Sequence, residues 1–158
     1  MHARSAVKTF LFTDIEGSTH LWEQAPERMR RALAYHDAIT RLAVESHRGV
    51  IVKMSGDGAH AAFDDPLDAV GATVQLQQAL ADPTRTDGIA LRVRCGMHVG
   101  VDEQRDNDFF GRSSNRAARI MAAAHGGQML LSQAVAALIR ERLPAGLSLR
   151  DLGSVRLR

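Results

Sequence analysis

Hydrophobic and polar positions change period several times along the chain, and each change marks an element. Val7 to Thr13 is dense in β-formers and reads as a buried strand that ends at Asp14. Gly17-Ser18-Thr19 then opens a helix, with Ser18 or Thr19 as its cap. From Ala25 to His47 the apolar residues Met29, Leu33, Ile39, Leu42 and Ala43 recur at roughly helical spacing, with Pro26 suited to the first turn and Gly49 as the stop. Val50 to Met54 reads as a second strand, Ser55-Gly56-Asp57-Gly58 as a turn, and Ala59 to Phe63 as a weaker third strand, so the two pair as a hairpin. Asp65 caps a helix that starts at Pro66 and runs through Val70, Val74, Leu76 and Leu80 to Ala81, and Asp82 to Gly88 is a polar loop. Ile89 to Val99 alternates as a fourth strand, and Val101 to Asp108 is acidic and irregular. A helix follows from about Arg112 to Ala124, closed by Gly126-Gly127. Met129 to Leu131 is a short strand, Ser132 starts a helix to about Arg142, and Leu147 to Leu157 reads as two short strands around Gly153.

The order β-α-β-β-α-β followed by α-β-α-β-β predicts an α+β protein. Its core is ferredoxin-like, a mostly antiparallel sheet with helices on one face. With 158 residues, 45% hydrophobic and 24% charged, the chain has the length and composition of one globular domain, and no repeat or low-complexity tract divides it. No apolar run approaches the ~18 residues a spanning helix needs, and no signal peptide is read. A single thiol, Cys95, makes neither an intrachain disulfide nor a zinc cluster, and a cytoplasmic location is expected. Of 20 basic residues only Lys8 and Lys53 are lysine. The arginines are scattered among acids, the net charge is +2 and aromatics make up 4%, so a nucleic-acid groove is not expected.

Three places could carry chemistry. Asp14 at a strand end and Asp57 in the hairpin turn could converge at one sheet edge, where paired carboxylates suit hard cations such as Mg²⁺. Taken singly, Asp14 is equally a helix-capping aspartate and Asp57 a turn residue. Ile15 to Thr19 offers backbone N–H groups, with Gly17 permitting close approach, as a phosphate cradle. Asn115 and Arg119, four residues apart, share one helix face and could orient a sugar and neutralise a phosphate, with Arg116 pointing elsewhere; an ordinary polar helix face has the same pattern.

Together, Phe12-Thr13-Asp14-Ile15-Glu16-Gly17-Ser18-Thr19, Lys53-Met54-Ser55-Gly56-Asp57-Gly58, and Asp108-Phe109-Phe110-Gly111 with Asn115-Arg116-Ala117-Ala118-Arg119 resemble the three signature blocks of class III nucleotidyl cyclases, in their bacterial subgroup. The resemblance implies a homodimer with active sites shared between chains, cyclising a nucleoside triphosphate with release of pyrophosphate. It assigns Asp14 and Asp57, with Ile15, to two divalent cations, Mg²⁺ or Mn²⁺, and Gly17 and Ser18 to substrate. Lys53 and Asp108 read the purine, Asn115 orients the ribose, and Arg119 stabilises the transition state. Arg158 stands where a lysine usually meets the triphosphate tail. A donor at Lys53 and an acceptor at Asp108 fit N1 and N6 of adenine and mismatch guanine, so ATP is the expected substrate.

Two departures carry expectations of their own. Ser113-Ser114 replaces a pattern that is commonly apolar before the Asn, which is expected to loosen the helix start that aims Asn115. The stop at Arg158, where relatives continue into a final strand, points to a piece of a longer protein with regulatory domains elsewhere. Two other readings remain open on sequence. One is a catalytically weak cyclase-like dimerisation or nucleotide-sensing module. The other is a haloacid dehalogenase-type phosphatase, which would need an alternating parallel β/α sheet.

Overall fold

The computed structural model describes residues 4–106, 108–153 and 157. Strand β1 (Arg4–Ile15) is central. It pairs antiparallel on one side with β3 (Gly58–Phe63), from Thr9 opposite Phe63 to Asp14 opposite Gly58. On the other side it pairs antiparallel with β4 (Val93–Arg105), from Arg4 opposite Gln104 to Ile15 opposite Val93. Strand β2 (Val50–Ser55) joins β3 as a hairpin, with a bulge between Ile51 and Lys53. Beyond β4 lie β5 (Asp108–Phe110), antiparallel, and β6 (Met129–Leu131), parallel. The fold is α+β with a mostly antiparallel sheet, as expected. The β2–β3 hairpin and the antiparallel neighbours of β1 exclude the parallel β/α sheet of the phosphatase reading.

Strand alternation divides the sheet into two faces. Thr9, Leu11, Thr13 and Ile15 of β1, with Ala61, Phe63, Val93, Cys95 and Met97, are buried on one face. There they meet α2 (Pro26–Ser46) and α3 (Pro66–Leu80). In α2 the buried stripe Met29, Ala32, His36, Ile39 and Ala43 keeps three- and four-residue spacing. In α3 the Asp65 side chain accepts from the Leu67 amide at 2.9 Å, the cap that the sequence predicts. Burial pushes the Cys95 thiol up to about 12, so it is an inert core group.

The other face carries Phe10, Phe12, Asp14, His60 and Ala62, and here the expectation of helices on a single face fails. Helix α4 (Arg112–Ala123) packs against this second face, with Ala117 in a small cluster with Phe10, Ala62 and Phe109. The reason is glycine. A Cβ on Gly96 would lie 2.2 Å from the Met121 amide nitrogen, and one on Gly100 would lie 1.9 Å from Ser113 Oγ. Gly96 thus lets the helix backbone sit directly on the strand, and Gly100 leaves room for the Ser113 side chain.

Other boundaries move for local reasons. Helix α1 (Ser18–Gln24) is capped by Gly17 at φ 70°, not by the side chain of Ser18 or Thr19. The loop from Asp82 contains a 3₁₀ turn, Pro83–Arg85, seeded by Asp82 accepting from Thr84 N at 3.0 Å. Residues 89–92 are not strand, since the Leu91 amide donates to Leu80 O at 2.8 Å and its side chain plugs the core. The supposedly irregular residues from Val101 are instead the far half of β4, held between β1 and β5. Helix α5 (Gln133–Ile139) starts as expected with Ser132 accepting from Val135 N, but it ends three residues early. Residues 147–153 form no strand, and residues 154–156 and Arg158 lie outside the described residues.

Candidate active site

Asp14 and Asp57 come to one edge because a backbone bond puts them there. The Ile15 amide donates to Asp57 O at 2.9 Å, tying the hairpin turn to the end of β1. Gly58 must lack a side chain, since its Cβ would lie 2.3 Å from Thr13 O. Both carboxylates already have partners. Arg94 Nε donates to Asp14 Oδ1 at 2.6 Å and its Nη2 donates to Oδ2, a bidentate pair. The hydrogen bond to Asp14 raises the Arg94 guanidinium above its ordinary value; partial burial opposes this, and the charges of Asp14, Glu16 and Asp57 add to it. The Ser18 hydroxyl donates to Asp57 Oδ2.

This edge presents oxygen donors and two negative charges, a set that fits a hard divalent cation. Among the described residues no group of three or more His, Cys, Asp or Glu gathers at one point, so substrate phosphates and backbone oxygens would complete any coordination. The phosphate cradle is narrower than the sequence suggests. The Ile15 amide serves Asp57 and the Glu16 amide donates to Arg92 O at 2.8 Å, which restricts the cradle to Gly17, Ser18 and Thr19.

One row along the sheet, Lys53 is opposite His60, and His60 is opposite Phe12. The His60 and Phe12 rings stack at 4.0 Å with an interplanar angle of 18°. Burial pushes His60 down to about 4, although the charges of Asp108 and Asp102 pull the other way. Its Nε2 is buried and has no hydrogen-bond partner among the described residues. Lys53 and Asp108 are exposed, and no ion pair joins them among the described residues. Asp108 starts β5 and accepts from the Phe109 amide at 2.8 Å.

Asn115 and Arg119 line an open cleft of about 500 Å³ together with His98, Arg112, Ser113, Arg116 and Leu157. Arg116 therefore does not point elsewhere. It borders the same space, because α4 presents positions 112, 115, 116 and 119 as one exposed face. The Arg119 Nη2 also donates to Leu157 O at 3.4 Å. Neither Asp14, Asp57 nor Lys53 borders this cleft. His98, held by a 2.7 Å contact from Nδ1 to Ser132 Oγ, is lowered chiefly by burial, then by Arg116, while Asp102 raises it.

The doubt over Ser113-Ser114 resolves against the expectation. Asp102, 2% exposed, accepts from the Ser113 amide at 3.0 Å, the Ser114 amide at 2.8 Å and the Ser114 hydroxyl at 2.6 Å. The helix start is anchored, not loosened. Arg94, Asp102, His60 and His98 all escaped the sequence reading. Their one signal was a polar residue recurring at the face-two positions of otherwise apolar strands.

The sequence profile of the Adenylate and Guanylate cyclase catalytic domain matches residues 2–158. An uncharacterized protein of Mycobacterium tuberculosis, Rv0891c, is 40% identical over 152 residues, covering 95% of this chain and 51% of its own length. The chain thus spans about half the length of that relative. Among solved structures, an adenylate/guanylate cyclase/hydrolase from Silicibacter pomeroyi superposes with TM-score 0.85 at 26% identity, over 99% of this chain and 92% of the other. An adenylate cyclase from Trypanosoma brucei, solved in its monomeric state, gives TM-score 0.83 at 28% identity over 96% and 84%. No helix among the described residues is long and apolar enough to cross a membrane.

Proposed function

Since the chain belongs to the adenylate and guanylate cyclase catalytic domain family, we propose that it is an adenylyl cyclase, converting ATP to 3′,5′-cyclic AMP and pyrophosphate. One observation carries the reading. A carboxylate edge and an arginine-lined cleft share a sheet face, yet the cleft contains neither carboxylate of that edge. Two copies about a two-fold axis would set the edge of one against the cleft of the other, giving a homodimer with two shared sites.

In each site Asp14 and Asp57, with Ile15 beside them, would hold two Mg²⁺ or Mn²⁺ ions. Bound there, such ions acidify the ribose 3′-hydroxyl and offset phosphate charge. Gly17 and Ser18 receive the phosphates on backbone N–H groups. From the other chain, Asn115 orients the ribose so that its 3′-oxygen lies in line with the α-phosphorus. Arg119 offsets the charge that grows on the α-phosphate oxygens as the bond to the β-phosphate breaks. Arg158 is assigned to the triphosphate tail. Lys53 donates to adenine N1 and Asp108 accepts from N6. Guanine reverses both groups, leaving mismatched polar pairs. The similarity to a trypanosomal adenylate cyclase supports the same substrate. We place the protein in the cytoplasm, where ATP is available, as one catalytic domain working with regulatory domains elsewhere in a longer protein.

Incubation with Mn²⁺ and either ATP or GTP, across a range of protein concentrations, tests this. Cyclic AMP is expected, with specific activity rising as dimer forms. Free phosphate with no cyclic nucleotide would contradict it.

A further inference from the structure

Helix α4 has no cap of its own. The residue before it, Gly111, supplies no side-chain hydrogen bond, and the first turn contains no acidic residue. The acceptor comes from another strand. Asp102 on β4 receives both the Ser113 and Ser114 amides and the Ser114 hydroxyl, so each of its oxygens accepts from the start of the helix. A negative charge at a helix N-terminus is favoured by the aligned peptide dipoles. The fit is close on every side. A Cβ on Gly111 would lie 2.6 Å from Asp102 Oδ1, and one on Gly100 would strike the Ser113 hydroxyl.

Asp102 is nearly fully buried and has no ion pair among the described residues. Among the described residues, every hydrogen bond its carboxylate accepts comes from the helix start. At its other end α4 rests on Gly96. Two contacts along one strand fix both the depth of the helix and its rotation about its own axis. That rotation buries Ser113, Ser114, Ala117 and Ile120 and turns Asn115 and Arg119 to the cleft.

We propose that Asp102 is a positioning residue for Asn115 and Arg119, acting through Ser113 and Ser114 to set the rotation of α4 over β4. The proposal rests on the cyclase reading for its effect on turnover, but not for its effect on the helix. Asp102→Asn keeps the size of the side chain, leaves one acceptor oxygen and turns an amide donor towards a backbone N–H.

The test compares wild type, Asp102→Asn, Ser114→Ala and Ser114→Thr by steady-state kinetics with Mn²⁺ and ATP and by amide hydrogen exchange. Asp102→Asn is expected to lower kcat about tenfold to a hundredfold, the scale of a small misplacement of reacting groups, with KM changed less than about threefold. Exchange should quicken in residues 112–119 and stay at the wild-type rate in α2 and α3. Ser114→Ala, which removes one of three bonds, should show a smaller change in the same direction, and Ser114→Thr, which keeps the hydroxyl, should restore wild-type values. If Asp102→Asn does not fold, the Ser114 pair decides the matter alone. Unchanged exchange in α4 overturns the proposal, and so does a lower unfolding temperature with wild-type kcat per folded dimer. If wild type makes no cyclic nucleotide, the cyclase reading fails while exchange in α4 still decides the seating.

Discussion

The carboxylate edge and the arginine cleft lie on one face of one sheet and meet opposite electrostatic demands. At the edge, Asp14 and Asp57 are already matched within the chain, by the Arg94 guanidinium and the Ser18 hydroxyl. In the cleft, Arg112, Arg116 and Arg119 gather along α4, and among the described residues no carboxylate borders the space with them. A carboxylate edge in which a resident cation holds Asp14 and a hydroxyl holds Asp57 suits exchange of those partners for a metal ion. A cleft of clustered guanidiniums suits a polyanion, because each guanidinium keeps its charge and offers forked donors. A metal–triphosphate complex carries both complements, so it would be bound fully only where an edge and a cleft meet.

The largest effects should come from removing either half. Asp57→Ala and Arg119→Ala are each expected to lower kcat by about a hundredfold or more, the scale seen when one charge-stabilising group is lost. Circular dichroism should show both variants folded. If one half could be deleted without loss, the complementarity of the two would be broken.

Backbone clearance gives the next test. Gly96→Ala drives a Cβ into α4, and Gly58→Ala drives one into β1 beside Asp14. Each should destabilise by about 1–3 kcal/mol in urea unfolding. Each should also depress turnover more than Gly127→Ala, whose Cβ has open space around it although its φ of 82° favours glycine. Equal turnover in all three would show that these glycines have no part in shaping the two regions.

Substrate choice should respond next. Lys53→Glu with Asp108→Ala is expected to reduce the ATP-over-GTP preference in kcat/KM by about tenfold or more. An unchanged ratio would separate both residues from base reading.

The smallest expected effect is thermodynamic. His60 titrates near 4 in the fold against an ordinary 6.5, so the unfolded chain takes up the proton first as pH falls. Its contribution to stability is therefore present above pH 6.5 and lost between 6.5 and about 4. Replacing His60 with Phe should flatten the fall in unfolding temperature over that window. A slope identical to wild type would show that His60 is not a buried neutral imidazole.

How much of this was legible in the sequence depended on whether local or long-range contacts decided it. The Asp65 cap, the Pro26 start of α2 and the β2–β3 hairpin are local, and the pattern revealed them. The three motif blocks were legible for the same reason, as contiguous residues. The seat of α4 was not. It depends on Gly96, Gly100 and Asp102, which look like weak points in a strand until a helix packs over them. Read alone, Ser113-Ser114 looked like a poor helix start, because its acceptor sits eleven residues upstream on β4. The Asp14–Arg94 pair spans 80 residues and leaves no trace in any local window. The far half of β4 looked irregular because its charged residues are held by ladder bonds to β1, not by burial of an apolar side.

The central claim is that edge and cleft complete each other between two chains. Mixing Asp57→Ala with Arg119→Ala, each inactive alone, tests it most directly. Random pairing in a two-fold dimer leaves about a quarter of the sites with both halves intact, so cyclic AMP formation should recover towards about a quarter of wild type. No recovery, with both variants folded and dimeric by light scattering, would contradict the claim.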